Sequence, residues 1–445
     1  MSRLQGATAV PTRLTWLLLR RGWDSPAGTL LPVAAFTAVT ALTLTVVAGA
    51  WSFWRWDDDL AVAYQMLAGF AVVLLLMPLM ALAGSAARLS ARRRDQRLST
   101  LRLLGATPWQ VRVMSLLESS GLAALGAVAG VLVHLLAGPL VQQVPFRGEP
   151  IGAAYWLPVW TLLVAPLAVG LLAAVSAGIS LQRVVVSPLG VRTRQPAPAL
   201  SPVRVAVAVV VLTATFLALR AAGGLGVAVG IGILLGGFAA SMAVLNLLGP
   251  WVVGVLARWS RRTARSPELL LAAAGTADAP KAVWRQVGAV PLLGFVSVVL
   301  GSGAALMIAS DGHVSGPERF LPQDIRTGLL ITVVVSFLVV ACSVAVNAAA
   351  EVYDRADLYR SLHKLGMTPR SLQRSRSASV MVPLVWMTVL GTLAGALLAF
   401  PLVGMALLSD PVTVLVVLAC VVAGVLVVAA ALAGTRPVLA SVLRP

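Results

Sequence analysis

The sequence predicts an all-α polytopic membrane protein of about ten transmembrane helices in a 4+2+4 arrangement, with no large extracellular domain. Three observations lead to that fold class. Of 445 residues, 59% are hydrophobic and 11% charged, with a mean hydropathy of +0.92, outside the range of soluble globular proteins. The basic residues gather in alternate segments between apolar stretches. And one polar interval occurs twice: GSAARLSARRRDQRLSTLRLLGATPWQVRVMSLL, residues 84–117, returns in degenerate form as AAAEVYDRADLYRSLHKLGMTPRSLQRSRS, residues 348–377.

Leu104-Gly105-Ala106-Thr107-Pro108 aligns with Leu365-Gly366-Met367-Thr368-Pro369 across an offset of 261 residues. A GxxxG step follows each copy, at Gly126 and Gly130 and at Gly391 and Gly395. The chain therefore reads as an internal duplication built around two connectors.

A helix needs roughly 20 apolar residues to cross the hydrocarbon core. Ten stretches qualify, near 28–50, 62–84, 118–140, 156–178, 203–221, 226–250, 287–309, 327–349, 379–404 and 411–433. They divide the chain into an N-terminal cytoplasmic or interfacial segment (1–27), a first four-helix unit (28–195), a linking helix pair (196–257) and a second four-helix unit (258–445). The first apolar span lies about 27 residues in, exceeds a signal-peptide core and lacks a cleavage site, so it is expected to be retained.

Of the 34 Lys and Arg residues, only Arg55, Arg147, Arg220, Arg319 and Arg326 fall in the segments assigned to the outside. The positive-inside rule then places both termini in the cytoplasm. It also accounts for the net charge of +18 without nucleic acid, which would need the basic residues on one folded soluble face.

Taken in order, Thr12–Trp23 (TRLTWLLLRRGW) puts Leu14, Leu17 and Leu18 on one helical face beside Arg13, Arg20 and Arg21. It is either an interfacial helix on the inner leaflet or a cytoplasmic extension of the first span. Trp51, Trp54 and Trp56 read as an interfacial aromatic belt. Asp57, Asp58 and Asp59 read as a solvated acidic loop, with binding of a cationic ligand as the alternative.

After span two, the Leu-spaced stretch Leu89–Leu104 continues as a cytoplasmic helical stalk. Gly105 ends it, and Thr107 and Pro108 open a new short helix as cap and first position. Residues 179–202 turn Pro-rich, which marks a linker. Gly226, Gly230, Gly232 and Gly236 let the middle pair of helices approach closely. The outer segments 51–61 and 310–326 are too short for domains, which need about 50 residues.

Catalytic signatures are missing from the sequence. It has no GxxxxGK[ST], HExxH or GxSxG stretch, and its three histidines are His134, His313 and His363. Cys342 and Cys420 lie singly within apolar spans and read as small core residues. His134, toward the outer end of span three, is either a packing or lumen-facing histidine or a proton relay. Glu118 and Asp410 lie near span ends, so no midplane carboxylate is placed for ion coupling. Energy for any transport is expected from another chain.

RRRDQRLSTLRLLGATPWQVRVMSLLESSGLAALGAVAGVL resembles the signature of FtsX-like permeases, the membrane subunits of one class of ABC transporters. LQRVVVSPLGVRTR is similar to that family's exit motif. The second unit keeps LGMTPRSL, but His363 and Lys364 replace Arg102 and Leu103, and Ser379 stands in place of Glu118.

The resemblance implies a permease in a bacterial cell membrane, with Arg102, Leu104 to Pro108 and Glu118, and Leu365 to Pro369, forming sites that engage a cytoplasmic ABC-type ATPase. Two ATPase copies are expected per chain, carrying the ATP and Mg, with no cofactor in this chain. The short helix after each LGxTP is the implied coupling helix. The layout is similar to the ten-span branch handling peptide antibiotics, except that its large outer domain is replaced by residues 310–326. The apolar spans point to a hydrophobic or amphipathic substrate or a lipid. The alternatives are a mechanotransmission protein that transports nothing and an autonomous secondary transporter.

Overall fold

The computed structural model describes residues 26–75 apart from Asp59, isolated positions between 79 and 86, residues 108–186, scattered positions from 206 to 217, and residues 227–310, 317–398 and 411–443. The N-terminal helix expected at 12–23, the first stalk with Arg102 and Leu104 to Thr107, the linker at 187–202, most of span five, residues 311–316 and Asp410 lie outside the described residues. The chain falls into two compact units, Met1–Thr193 and Arg194–Pro445.

Within a bilayer every backbone N–H and C=O must be satisfied inside its own segment, so the apolar stretches fold as helices. The first unit holds α1 (Pro26–Phe53), α2 (Ala61–Leu75), α3 (Pro108–Val141) and α4 (Val159–Val186). Between α3 and α4 stand a two-residue β-hairpin, β1 (Pro145–Phe146) and β2 (Glu149–Pro150), and a 3-10 turn at Gly152–Tyr155.

The second unit contains α5 (Val227–Thr263), α6 (Pro267–Asp278), α7 (Pro280–Val287), α8 (Ala289–Ser310), α9 (Leu321–Asp354), α10 (Ala356–Lys364), α11 (Pro369–Leu398), α12 (Pro411–Ala433) and α13 (Arg436–Leu443). Among the described residues six helices are long and apolar enough to cross a membrane, with shorter apolar helices at Ala61–Leu75 and Val290–Val299.

In the first unit α1 packs against α3, and in the second α8 against α11, each through the GxxxG step. A Cβ on Gly126 would stand 2.6 Å from Phe36 Cβ, and one on Gly130 2.7 Å from Thr40 Cβ. In the second unit a Cβ on Gly395 would stand 2.8 Å from the Phe295 carbonyl oxygen, and one on Gly391 would overlap the Pro291 backbone. Close backbone approach of this kind replaces the hydrophobic effect as the source of helix association in lipid. In the first unit α4 packs along α3, and in the second α12 packs chiefly along α9.

Two expectations need correction. The helix opened by Pro108 is not short, because α3 runs 34 residues without interruption, and α11 runs 30 from Pro369. At 1.5 Å per residue α3 is about 51 Å long, well beyond a hydrocarbon core of about 30 Å. The apolar span and the polar turn before it therefore form one rigid rod. The boundary expected at residue 257 also falls inside α5, which continues to Thr263 with Arg261 and Arg262 in its last turn, where cations complement the helix dipole.

The end of the first unit that holds the α1–α2 loop carries more structure than a solvated loop. Arg147 (φ 55°) and Gly148 (φ 81°) form the hairpin turn, a conformation that two-residue hairpins require. Arg147 donates from Nη1 and Nη2 to Asp58 at 2.6 and 3.1 Å. Its guanidinium also lies 4.0 Å from the centre of the Trp56 ring and 4.6 Å from that of Tyr64. Asp58 is thus paired within the chain, and its hydrogen bond to Arg147 holds the carboxyl below the ordinary value. Trp51 and Trp54 remain 42% and 50% exposed.

Candidate functional site

The second connector lies within the described residues, and its geometry follows residue by residue from its sequence. α9 ends at Asp354, and Arg355 leaves the helical region at φ −114°, ψ 26°. The nine residues of α10 follow. Gly366 then adopts φ +97°, a conformation that L-residues with a Cβ rarely take.

Gly366 N–H donates to the His363 carbonyl at 3.0 Å and Met367 N–H to the Leu362 carbonyl at 3.1 Å. That pair of bonds is a Schellman stop, and Leu362 and Met367, its hydrophobic pair, pack against the same buried cluster. Thr368 caps α11, its Oγ1 accepting from Ser371 N–H at 3.2 Å, with Pro369 in first position. The roles read from Gly105, Thr107 and Pro108 are therefore filled by Gly366, Thr368 and Pro369. In the first copy only Pro108 falls within the described residues, as the first residue of α3.

A small core fastens this turn to its neighbours. Val352 on α9, Tyr359 on α10, Leu372 on α11, and Leu439 and Val442 on α13 are all buried together. Arg360 Nε donates to the Val442 carbonyl at 3.2 Å, which clasps the C-terminal helix to α10. Beneath them Arg376, 6% exposed, donates from Nη2 to the Ala348 carbonyl at 2.8 Å and from Nη1 to Gln373 Oε1 at 3.0 Å. Burial, and after it the Glu351 charge, push the Tyr359 hydroxyl above its ordinary value. The end of α9, the connector and the start of α11 are thus tied through one buried guanidinium and one apolar cluster.

The opposite face is open. Leu365 is 82% exposed and Leu358 49% exposed. Leu358 lies on α10 and Leu365 caps its C-terminal end, and Thr368, Pro369 and Arg370 beside Leu365 are exposed too. The helix presented at the tip precedes the LGMTP motif rather than following it. Sequence reading singled out Leu365 to Pro369 but missed Leu358 and α10, although the spacing of Leu358, Leu362 and Leu365 was visible.

Among the other candidates, Glu118 sits half-buried on α3, ten residues after Pro108. Ser379, its counterpart, donates to the Arg376 carbonyl at 2.8 Å. His134 is fully buried, with Nδ1 3.2 Å from both the Thr45 and Tyr155 hydroxyls. These partners are hydroxyls and not carboxylates, which fits a packing histidine. Cys342 and Cys420 are free thiols. No group of His, Cys, Asp and Glu fit to hold a metal ion occurs among the described residues.

Residues 69–187 match the family model described as FtsX-like permease C-terminal. The match runs from within α2 to just past α4 and stops short of the second connector. Searches among curated proteins and among solved structures found no match.

Proposed function

We propose that the chain is a membrane permease component of the ABC type that converts ATP-driven movement of a cytoplasmic ATPase into rearrangement of its spans, a reading supported by the match of residues 69–187 to the FtsX-like permease family. Such permeases work with an ABC-type ATPase in general. In this chain two ATPase copies, holding the ATP and Mg, would engage the two connectors from the cytoplasm of a bacterial cell. Hydrolysis belongs to that partner.

The observation that carries the reading is the exposure of Leu358 and Leu365, on and at the end of a short helix braced from behind. An exposed leucine pair on a rigid polar connector suits a protein partner better than it suits water. Displacing α10 would pull on α9 through Val352 and on α11 through Leu372, both packed with Tyr359, so a push at the tip reaches two spans together. The first connector would act likewise through the rod of α3. The cargo in this reading is a hydrophobic or amphipathic compound or a lipid, moved or extracted from the bilayer.

The test is co-purification of the cytoplasmic ATPase with the detergent-solubilised chain. Wild type is expected to bring it down and Leu358→Asp/Leu365→Asp to lose most of it. Unchanged recovery with the double variant would refute docking at this tip. Amphiphiles that stimulate the ATPase of the complex mark a transporter, whereas stimulation only by a protein partner marks a mechanotransmission protein.

A further inference from the structure

At one end of the second unit, α5, α6 and α11 enclose a cavity of about 220 Å³. Its walls are apolar, with Val253 and Ala257 from α5, Ala273 from α6 and Val382 from α11. Two of the three hydroxyls that line it are already engaged, Thr263 donating to the Trp259 carbonyl at 3.1 Å and Thr276 to the Ala272 carbonyl at 2.9 Å, and the third is that of Ser260, next to Trp259. The interior thus offers little polar hold and suits hydrocarbon.

The mouth is different. Trp259 and Trp386 meet there edge to face, their ring centres 5.5 Å apart at 85°. They are 50% and 39% exposed, the disposition of indoles at a membrane–water boundary. Exposed Arg261 follows Ala257 by one helical turn, and exposed Arg265 directly follows Ala264, which lines the cavity. Exposed Arg374 lies one turn before Ala378, another lining residue. The nearby acid, Glu268, is engaged by Ser371 and Ser266. An apolar hole under a cationic lip is complementary to an anionic amphiphile.

We propose that this cavity is a binding site for an anionic phospholipid, one acyl chain entering between α5, α6 and α11 and the phosphate resting on Arg261 and Arg265. The site is separate from the connector tip and requires no ATPase. Its consequence is local: bound lipid ties α6 to the root of α11, the helix that Thr368 caps.

The test uses the full chain in detergent micelles, titrated with phosphatidylglycerol or phosphatidylcholine carrying brominated acyl chains, with tryptophan quenching as the readout. The part of the quench lost in Trp259→Phe/Trp386→Phe is the signal of the cavity. Phosphatidylglycerol is expected to reach half-saturation at a concentration on the order of tenfold lower than phosphatidylcholine. Arg261→Gln/Arg265→Gln is expected to erase that preference and Arg261→Lys/Arg265→Lys to keep most of it, and Ala273→Phe, which fills the cavity, to abolish the signal with either lipid. Equal half-points for the two lipids in wild type, or a quench indifferent to both the paired Trp replacement and Ala273→Phe, would overturn the proposal. Because no ATPase is present, that failure leaves the ATPase co-purification result standing, and the reverse also holds.

Discussion

Gly366 sits at φ +97° with open space where a Cβ would be, so a side chain there meets backbone strain and nothing else. Gly366→Ala is expected to cost about 1–2 kcal/mol and to raise hydrogen exchange at Gly366 and Met367, whose N–H groups form the Schellman stop. The Asp58–Arg147 pair supports a pH prediction at the same scale. A carboxyl held below its ordinary value of 3.8 contributes stability that is fully present above that value and lost as pH falls through the depressed one. Asp58→Asn should therefore unfold at a lower temperature than wild type at neutral pH, and the gap should close as the solution is acidified below the ordinary carboxylate range. A gap that persists in strong acid would mean that Asp58 acts through packing alone.

Between elements, the decisive contact in each unit is the glycine step, on α3 in the first and on α11 in the second. A Cβ at Gly391 overlaps the Pro291 backbone, whereas one at Gly328 on α9 meets nothing within 4 Å. Gly391→Leu is expected to destabilise by about 1–3 kcal/mol and Gly328→Leu to be near neutral, as read from thermal unfolding in detergent. The brace behind the connector is equally specific. Deleting residues 436–445 removes Leu439 and Val442 from the cluster that buries Tyr359 and Leu372. Exchange protection across 356–366 should fall while protection in α8 stays unchanged, and equal loss in both would show a global rather than local role for α13.

Across the whole molecule the two connector sequences align unequally, with His363, Lys364 and Ser379 opposite Arg102, Leu103 and Glu118. Gly105→Pro and Gly366→Pro each distort one reversal. Loss of the co-purifying ATPase in both variants is the outcome expected of two working sites, and loss only in Gly105→Pro marks an asymmetric machine. The charge bias sets a topological expectation as well. Asp57→Cys should react with a membrane-impermeant maleimide in intact cells, and Leu365→Cys only after permeabilisation; labelling of both from outside would reverse the orientation.

The helices and the turn chemistry of the second connector were legible in the sequence because each depends on local rules. A helix in lipid needs a long apolar run, and a reversal needs Gly, then a cap, then Pro, as Gly366, Thr368 and Pro369 confirm. Contacts between distant segments were not legible. Nothing near Arg147 announces Asp58, 89 residues away, and nothing in the α13 sequence announces α10. The length of α3 and α11 was misjudged for a related reason: polar residues after Pro108 and Pro369 look like a break, whereas one helix crosses from water into lipid without altering its backbone bonds. The sequence by itself determined the all-helical membrane class, the reversal at Gly366 and the family it resembles. Only the tertiary structure decided which faces meet and which stay bare, since those depend on how distant side chains fit together.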